Sequence, residues 1–310
     1  MKKIIAIAVA SAFVAPAFAA DITISGYAEY AYVDESQAGS SPTNNEIVAE
    51  DGNITIKATE EINGMTISYD YSLDSDGEAD GGNSLDISGE FGKVSIGEVS
   101  GAIDSIDDKA DVFKVLDNGI ATVSNDANIS WQLPTMAEGL TVYVAYTPKQ
   151  GDGDYVTRAN VGIGASSANT NQVGSVAEDL SGISAVYSTG ALRVGYGQED
   201  VASAKNTYAT VGYSMGGLGF NYETAENRSG STTIDVASVA LTYSMGDTKF
   251  MAGSKTKETN SAGTVTKNNS ITSYGVQHTM GSLLLFAETG SDDKASTKDE
   301  LTAIGIGYSF

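Results

Sequence analysis

Apolar and polar residues alternate one by one along most of this chain. Met65, Ile67, Tyr69, Tyr71 and Leu73 fall on one face of an extended strand, opposite Thr66, Ser68, Asp70 and Ser72. Leu140, Val142, Val144 and Tyr146 repeat the pattern, as do Val239, Leu241, Tyr243 and Met245 opposite Ser238, Ala240, Thr242 and Ser244. A period of two marks strands with one apolar face. The alternation predicts sixteen strands, with cores near 22–33, 53–61, 65–74, 84–90, 93–99, 128–133, 140–147, 182–188, 191–199, 207–215, 217–224, 234–245, 247–255, 270–278, 282–290 and 301–310.

The connections alternate in length. Short ones fall at Asn63-Gly64, Phe91-Gly92, 134–139, Thr189-Gly190, Gly216, Gly246-Asp247 and Gly281. Ser214-Met215-Gly216, Ser244-Met245-Gly246 and Thr279-Met280-Gly281 repeat one turn signature. Long ones, rich in Gly, Ser, Asn and Asp, are expected at 34–52, 75–83, 100–127, 148–181, 200–206, 225–233, 256–269 and 291–300. A membrane β-barrel has this asymmetry, with short turns at one end and long loops at the other; a soluble sandwich has no cause to sort its loops by parity.

The final strand carries the same message. Thr302, Ile304, Ile306, Tyr308 and Phe310 share one face, while Ala303, Gly305, Gly307 and Ser309 share the other. An apolar edge left in water invites aggregation, whereas a strand with lipid outside and water inside requires this pattern. No stretch after the N-terminal segment is apolar for long enough to form a membrane helix, so a spanning chain must close as a barrel. Tyr27, Tyr30, Tyr32, Tyr69, Tyr71, Tyr146, Tyr196, Tyr213, Tyr243 and Tyr308 are expected near strand ends or on the lipid face, as an interfacial girdle or through ordinary β-propensity.

At the N-terminus, Lys2 and Lys3 precede an apolar run from Ile4 to Ala15 and a small-x-small site at Ala17-Phe18-Ala19. This reads as a secretory signal peptide over 1–19, shorter than the ~20 residues of a spanning helix. The expected mature chain is one barrel domain over 20–310.

Composition sharpens the picture. Gly (35) and Tyr (16) are abundant, Pro (4) is scarce and Cys is absent, which suits strands and tight turns and excludes thiol chemistry. Without Lys2 and Lys3, 15 basic residues face 40 acidic ones, a net charge of about −25. Such a chain does not recruit nucleic acid, whose phosphates reward Lys and Arg.

The chain resembles a Gram-negative general porin, in particular those of alphaproteobacteria. The resemblance rests on Ile22-Thr-Ile-Ser-Gly-Tyr-Ala-Glu29, Phe91-Gly-Lys-Val-Ser-Ile-Gly97 and Gly307-Tyr-Ser-Phe310, in that order along the chain. It implies an all-β transmembrane antiparallel barrel of sixteen strands, a homotrimer in outer-membrane lipid, and passive diffusion of small hydrophilic solutes and ions. It also implies that the third long loop folds inward and narrows the pore. The matching segment, 101–125, contains Asp104, Asp107, Asp108, Asp111 and Asp117 against Lys109 and Lys114. Its alternatives are an acidic constriction lip or a solvated external loop. Residues 107–116 could form a short helix pinned by Ala110, Val112, Phe113, Val115 and Leu116.

Strand parity places Lys57 and Arg193 inward as the only well-placed bases facing that lip, with Glu29, Asp70 and Asp86 as inward acids and Glu288 as a further candidate. Carboxylates along a pore favour cations, so weak to moderate cation selectivity is expected. The segments 74–80 and 151–154 hold enough acid to collect Ca²⁺, though solvated charge explains them equally and neither has EF-hand spacing.

Enzymatic readings have little support. His278 is the single histidine, and a triad needs an oriented nucleophile and a third group beside it. Carboxylate pairs for glycoside hydrolysis arise by chance among 40 acids. Gly162-Ile-Gly164 and Gly305-Ile-Gly307 lack the helix of a phosphate loop. The rivals from other classes are a non-conducting barrel acting as surface scaffold or adhesin, and a secreted acidic β-protein.

Overall fold

The computed structural model describes residues 20–36, 44–74, 83–107, 109–120, 126–148, 179–293 and 298–310. Sixteen strands run in chain order: β1 (Asp21–Ser36), β2 (Asn44–Ile62), β3 (Met65–Asp74), β4 (Ser84–Gly89), β5 (Gly92–Ser100), β6 (Asp126–Gln132), β7 (Leu140–Thr147) and β8 (Leu180–Thr189). They continue as β9 (Leu192–Val201), β10 (Ala204–Met215), β11 (Leu218–Ser229), β12 (Thr232–Met245), β13 (Thr248–Ser261), β14 (Thr264–Met280), β15 (Leu283–Asp293) and β16 (Lys298–Ser309). Each strand pairs antiparallel with its neighbours in sequence, and β16 pairs with β1 from Tyr27↔Ser309 to Ser36↔Glu300, closing the barrel. Phe310 seals the join: its N–H donates to Gly26 O at 3.0 Å, and Gly26 N–H donates to Phe310 O at 3.1 Å.

The alternation sorts residues by face. Ile22, Ile24, Tyr30 and Tyr32 are exposed on the outside, while Glu29, Ala31 and Val33 are buried inside. Outward Ile, Leu, Phe and Tyr side chains recur around the barrel. That much contiguous apolar surface marks contact with lipid or protein. Tyr27 departs from the expected girdle: it lies on the inward face with Glu29, and its hydroxyl donates to Asp51 at 2.5 Å.

The short connections lie where the sequence places them. Asn63 and Gly64, with φ of 52° and 79°, make the β2–β3 turn, a left-handed pair that Asn and Gly tolerate best. The opposite end differs from expectation at most of its loops, 291–300 included, where β15 runs to Asp293 and β16 starts at Lys298. The stretches 200–206, 225–233 and 256–269 are not long loops but continuations of β9 to β14, capped by two-residue turns at Ala202-Ser203, Gly230-Ser231 and Ala262-Gly263. The backbone ladder needs no apolar side chains once a strand rises beyond its apolar band, so Lys, Asn, Thr and Glu carry it on. β2 likewise begins at Asn44, well inside the expected first loop, with a bulge where Glu29 pairs with Asp51 and Tyr30 with Ala49. The expected signal peptide, most of 75–83, and 149–178 within the fourth loop lie outside the described residues.

The core is inside the barrel, between its wall and residues 101–120. Ile103, Ile106 and Ile120 pack on Tyr208, Ala225 and Val236, while Phe113 and Leu116 pack with Met251.

Candidate functional site

After β5 the chain turns into the barrel. Ser105 N–H donates to Gly101 O, and Ile106 and Asp107 N–H both donate to Ile103 O. Beyond that turn the expected helix over 107–116 does not form. Its backbone N–H groups point at the wall instead. Glu288 on β15 accepts Lys114 N–H at 2.7 Å and Val115 N–H at 3.0 Å. Glu223 on β11 accepts Lys109 N–H at 2.5 Å and the Tyr208 hydroxyl at 3.0 Å. Glu199 on β9 accepts Ile103 N–H at 2.8 Å.

These three carboxylates are almost wholly buried, at 2%, 0% and 0% exposure. A buried carboxylate is costly unless its oxygens are hydrogen-bonded, and bonds to an ionised acceptor are the stronger kind. Loop N–H groups therefore stabilise the wall carboxylates, and a helix would leave the carboxylates without these donors. Donors from the wall complete the match: Arg193 Nη2 to Ile106 O at 2.7 Å, Ser238 Oγ to Asn118 O at 2.6 Å, and Gln277 Nε2 to Val112 O at 3.3 Å.

The wall is also shaped to receive the loop. A Cβ added at Gly253 would meet Asn118 Nδ2 and lie 2.8 Å from Phe113, and one at Gly197 would lie 3.0 Å from Ile103. These two inward glycines thus seat the loop.

The sequence-predicted acids separate into different environments. Asp107 is buried at 3% exposure and Asp104 is half-buried, both at the turn packed on the wall. Asp111 is exposed and accepts Asn118 N–H at 3.4 Å. Asp117 is 69% exposed and pairs with Lys255 on β13 at 2.8 Å. Asp108 lies outside the described residues. Glu29 pairs with Lys114 at 2.7 Å. Lys57 and Asp70 face each other across β2 and β3 at 2.9 Å, and Asp86 pairs with Lys93 at 3.0 Å. Arg193 holds a loop carbonyl rather than facing open lumen.

Lys57 and Arg193 are not the only inward bases. Lys93 shares the inward face of β5 with Ser95, and Lys249, Lys255 and Lys257 share that of β13. Glu199 and Glu223 were missed as well. Parity was the signal for all of them: Leu192, Val194 and Tyr196 outward set Glu199 inward together with Arg193, and Phe220 and Tyr222 outward set Glu223 inward.

Across the lumen the loop meets β5 to β7 through apolar contacts: Ala102 packs with Val99, Ala127 and Ala145, and Tyr143 packs against the cluster of Ile103 and Ile106. Beside these contacts β3 to β7 line a polar cavity of about 430 Å³, bounded on one side by Ser105 of the loop. Among the described residues, no group of three or more His, Asp or Glu is placed to hold a metal ion; the acidic stretches 75–80 and 151–154 lie outside them.

Comparison with known proteins follows the same architecture. A family model described as Gram-negative porin matches residues 6–310. No curated protein sequence matches the chain. Among solved structures, an anion-selective porin from Comamonas acidovorans is similar with a TM-score of 0.73 and 13% identity, covering 94% of this chain and 100% of its own. OmpT of Vibrio cholerae is similar at 0.69 and 16%, covering 93% and 97%. OmpF of Salmonella typhi, in complex with daunomycin, is similar at 0.69 and 14%, covering 94% and 98%. At these identities the likeness is one of fold.

Proposed function

The chain belongs to the Gram-negative porins, and on that premise we propose that it is a general-diffusion channel of the outer membrane. It passes small hydrophilic solutes and ions passively, with a weak to moderate preference for cations. The observation that supports this reading is the packing of residues 101–120 inside the barrel. Their hydrogen bonds run to carboxylates on β9, β11 and β15, and a polar cavity along β3 to β7 stays beside them. Size exclusion follows from the width left beside the loop, and no bond is made or broken.

The sign of the preference rests on charge that the ion pairs leave over. Lys57, Lys93 and Lys114 each sit within 3.0 Å of a carboxylate, so paired charges largely cancel along the pore. The remaining acid, on a chain of formal charge −23, sets a negative potential that low-dielectric walls focus. The anion selectivity of the Comamonas relative does not transfer on fold likeness alone.

Three further parts belong to the proposal: removal of residues 1–19, one barrel domain over 20–310, and assembly as a homotrimer. The first two are tested by N-terminal sequencing of the membrane-inserted protein, and the third by cross-linking in detergent. Reversal potential under a KCl gradient tests the channel and its sign together. A cation-signed potential is expected; an anion-signed potential would overturn the preference, and absence of conductance from inserted protein would overturn the channel.

A further inference from the structure

Three hairpins end on one signature. Ser214-Met215-Gly216, Ser244-Met245-Gly246 and Thr279-Met280-Gly281 close β10, β12 and β14. The backbone accounts for the glycines, whose φ values of 60°, 59° and 62° lie in the left-handed region that glycine enters without strain. It does not account for the methionines. Each is the last residue of its strand and shares the outer face with Tyr213, Tyr243 or His278 two positions earlier.

Those methionines are 63%, 61% and 48% exposed, and Met136 in the β6–β7 turn is 61% exposed. Met65 opens β3 beside the Asn63-Gly64 turn. Of the six methionines among the described residues, five therefore sit at the short-turn end. The sixth, Met251, is 4% exposed inside the barrel, packed with Phe113 and Leu116 of the loop.

In membrane barrels the short turns face the periplasm, and interfacial aromatics mark the headgroup level. Two residues beyond Tyr213 and Tyr243, at about 3.3 Å per residue, the chain has left the hydrocarbon. The Tyr213 hydroxyl donates to Met215 Sδ at 3.3 Å, so that sulfur has a polar neighbour. A thioether exposed to water is open to oxidation, and the polar sulfoxide disrupts packing only where the side chain was packed. The rim methionines can be oxidised without harm; Met251 cannot.

We propose that Met136, Met215, Met245 and Met280 are oxidation sites that consume hypochlorous acid at the periplasmic rim, leaving the pore unchanged and sparing Met251. The sulfur lone pair takes chlorine from hypochlorous acid and releases hydroxide. Water then forms the S–O bond as chloride leaves, and one of its two protons neutralises the hydroxide. Sulfur is oxidised by two electrons and the chlorine is reduced to chloride.

The test treats the reconstituted protein with rising doses of hypochlorous acid, maps sulfoxides by peptide mass spectrometry and records conductance at each dose. The four rim positions are expected to oxidise at least about tenfold faster than Met251, in line with their exposure. Conductance is expected to change only as Met251 reacts. Met136→Leu/Met215→Leu/Met245→Leu/Met280→Leu nearly conserves side-chain volume; in it, Met251 oxidation and the conductance change are expected at a lower dose. Met251 reacting as fast as the rim would overturn the sorting. Conductance that changes while Met251 is intact would overturn the claim that rim oxidation leaves the pore unchanged. The same dose dependence of Met251 in variant and wild type would overturn the sparing of Met251.

Discussion

Glu288 Oε1 accepts the backbone N–H of Lys114 at 2.7 Å, joining residues 174 apart in sequence. The same carboxylate takes Val115 N–H through its other oxygen. A side chain on the wall thus replaces the hydrogen bonds that a helix would have made within the loop. Glu199 and Glu223 repeat the device on β9 and β11, so the loop is held as an irregular segment by three strands of the wall.

Adding bulk under the loop should dislodge it. Gly253→Val places side-chain atoms where Phe113 and Asn118 lie. Overpacking of this kind costs about 1–3 kcal/mol. The barrel, held by its own ladder, is expected to fold, with faster proteolysis within 101–120 and a changed conductance. Unchanged proteolysis would contradict the packing.

Asp117→Ala removes an exposed carboxylate and leaves the Lys255 ammonium, whose side chain is 9% exposed, without that partner. Unit charges about 8 Å apart in water interact by about 0.5 kcal/mol. The cation-to-anion permeability ratio is therefore expected to fall about twofold at low salt. The change should shrink in concentrated salt, where screening is short-ranged. Reversal potentials at two ionic strengths check it.

Phe310 deletion removes both backbone hydrogen bonds to Gly26, worth roughly 2 kcal/mol together at about 1 kcal/mol each. It also removes the ring that stacks with Tyr308 at 6.1 Å between centroids. The barrel is expected to lose heat resistance, read as a lower temperature for its shift in gel mobility. Gly26→Val should weaken the same join, because its Cβ would lie 2.8 Å from the Phe310 ring and 2.6 Å from Asn53 O.

Where lipid imposes a period of two, the sequence was enough to place the strands: all sixteen were legible, as were their seven short turns. Legibility failed where lipid stops. The upper parts of β13 and β14 contain Lys257, Glu258, Asn260 and Thr264, which look like loop to a search for apolar alternation although the ladder continues through them. Inward polarity was readable for Glu29, Asp70 and Asp86 by parity. What parity could not give was the partner of each charge, since that depends on neighbours in other strands and in the loop. Asp86 meets Lys93 across one hairpin, but Asp117 meets Lys255 across 138 residues. The helix expected over 107–116 had suitable local residues, yet carboxylates more than a hundred positions away took its N–H groups.

The most direct measurement is single-channel conductance in a planar bilayer, comparing the wild type with Glu223→Ala/Glu288→Ala. Discrete, uniform steps are expected for the wild type. Larger and noisier steps are expected for the variant, whose loop loses its acceptors at Lys109, Lys114 and Val115. Steps of the same size and noise in both proteins would contradict the claim that wall carboxylates hold the loop that narrows the pore.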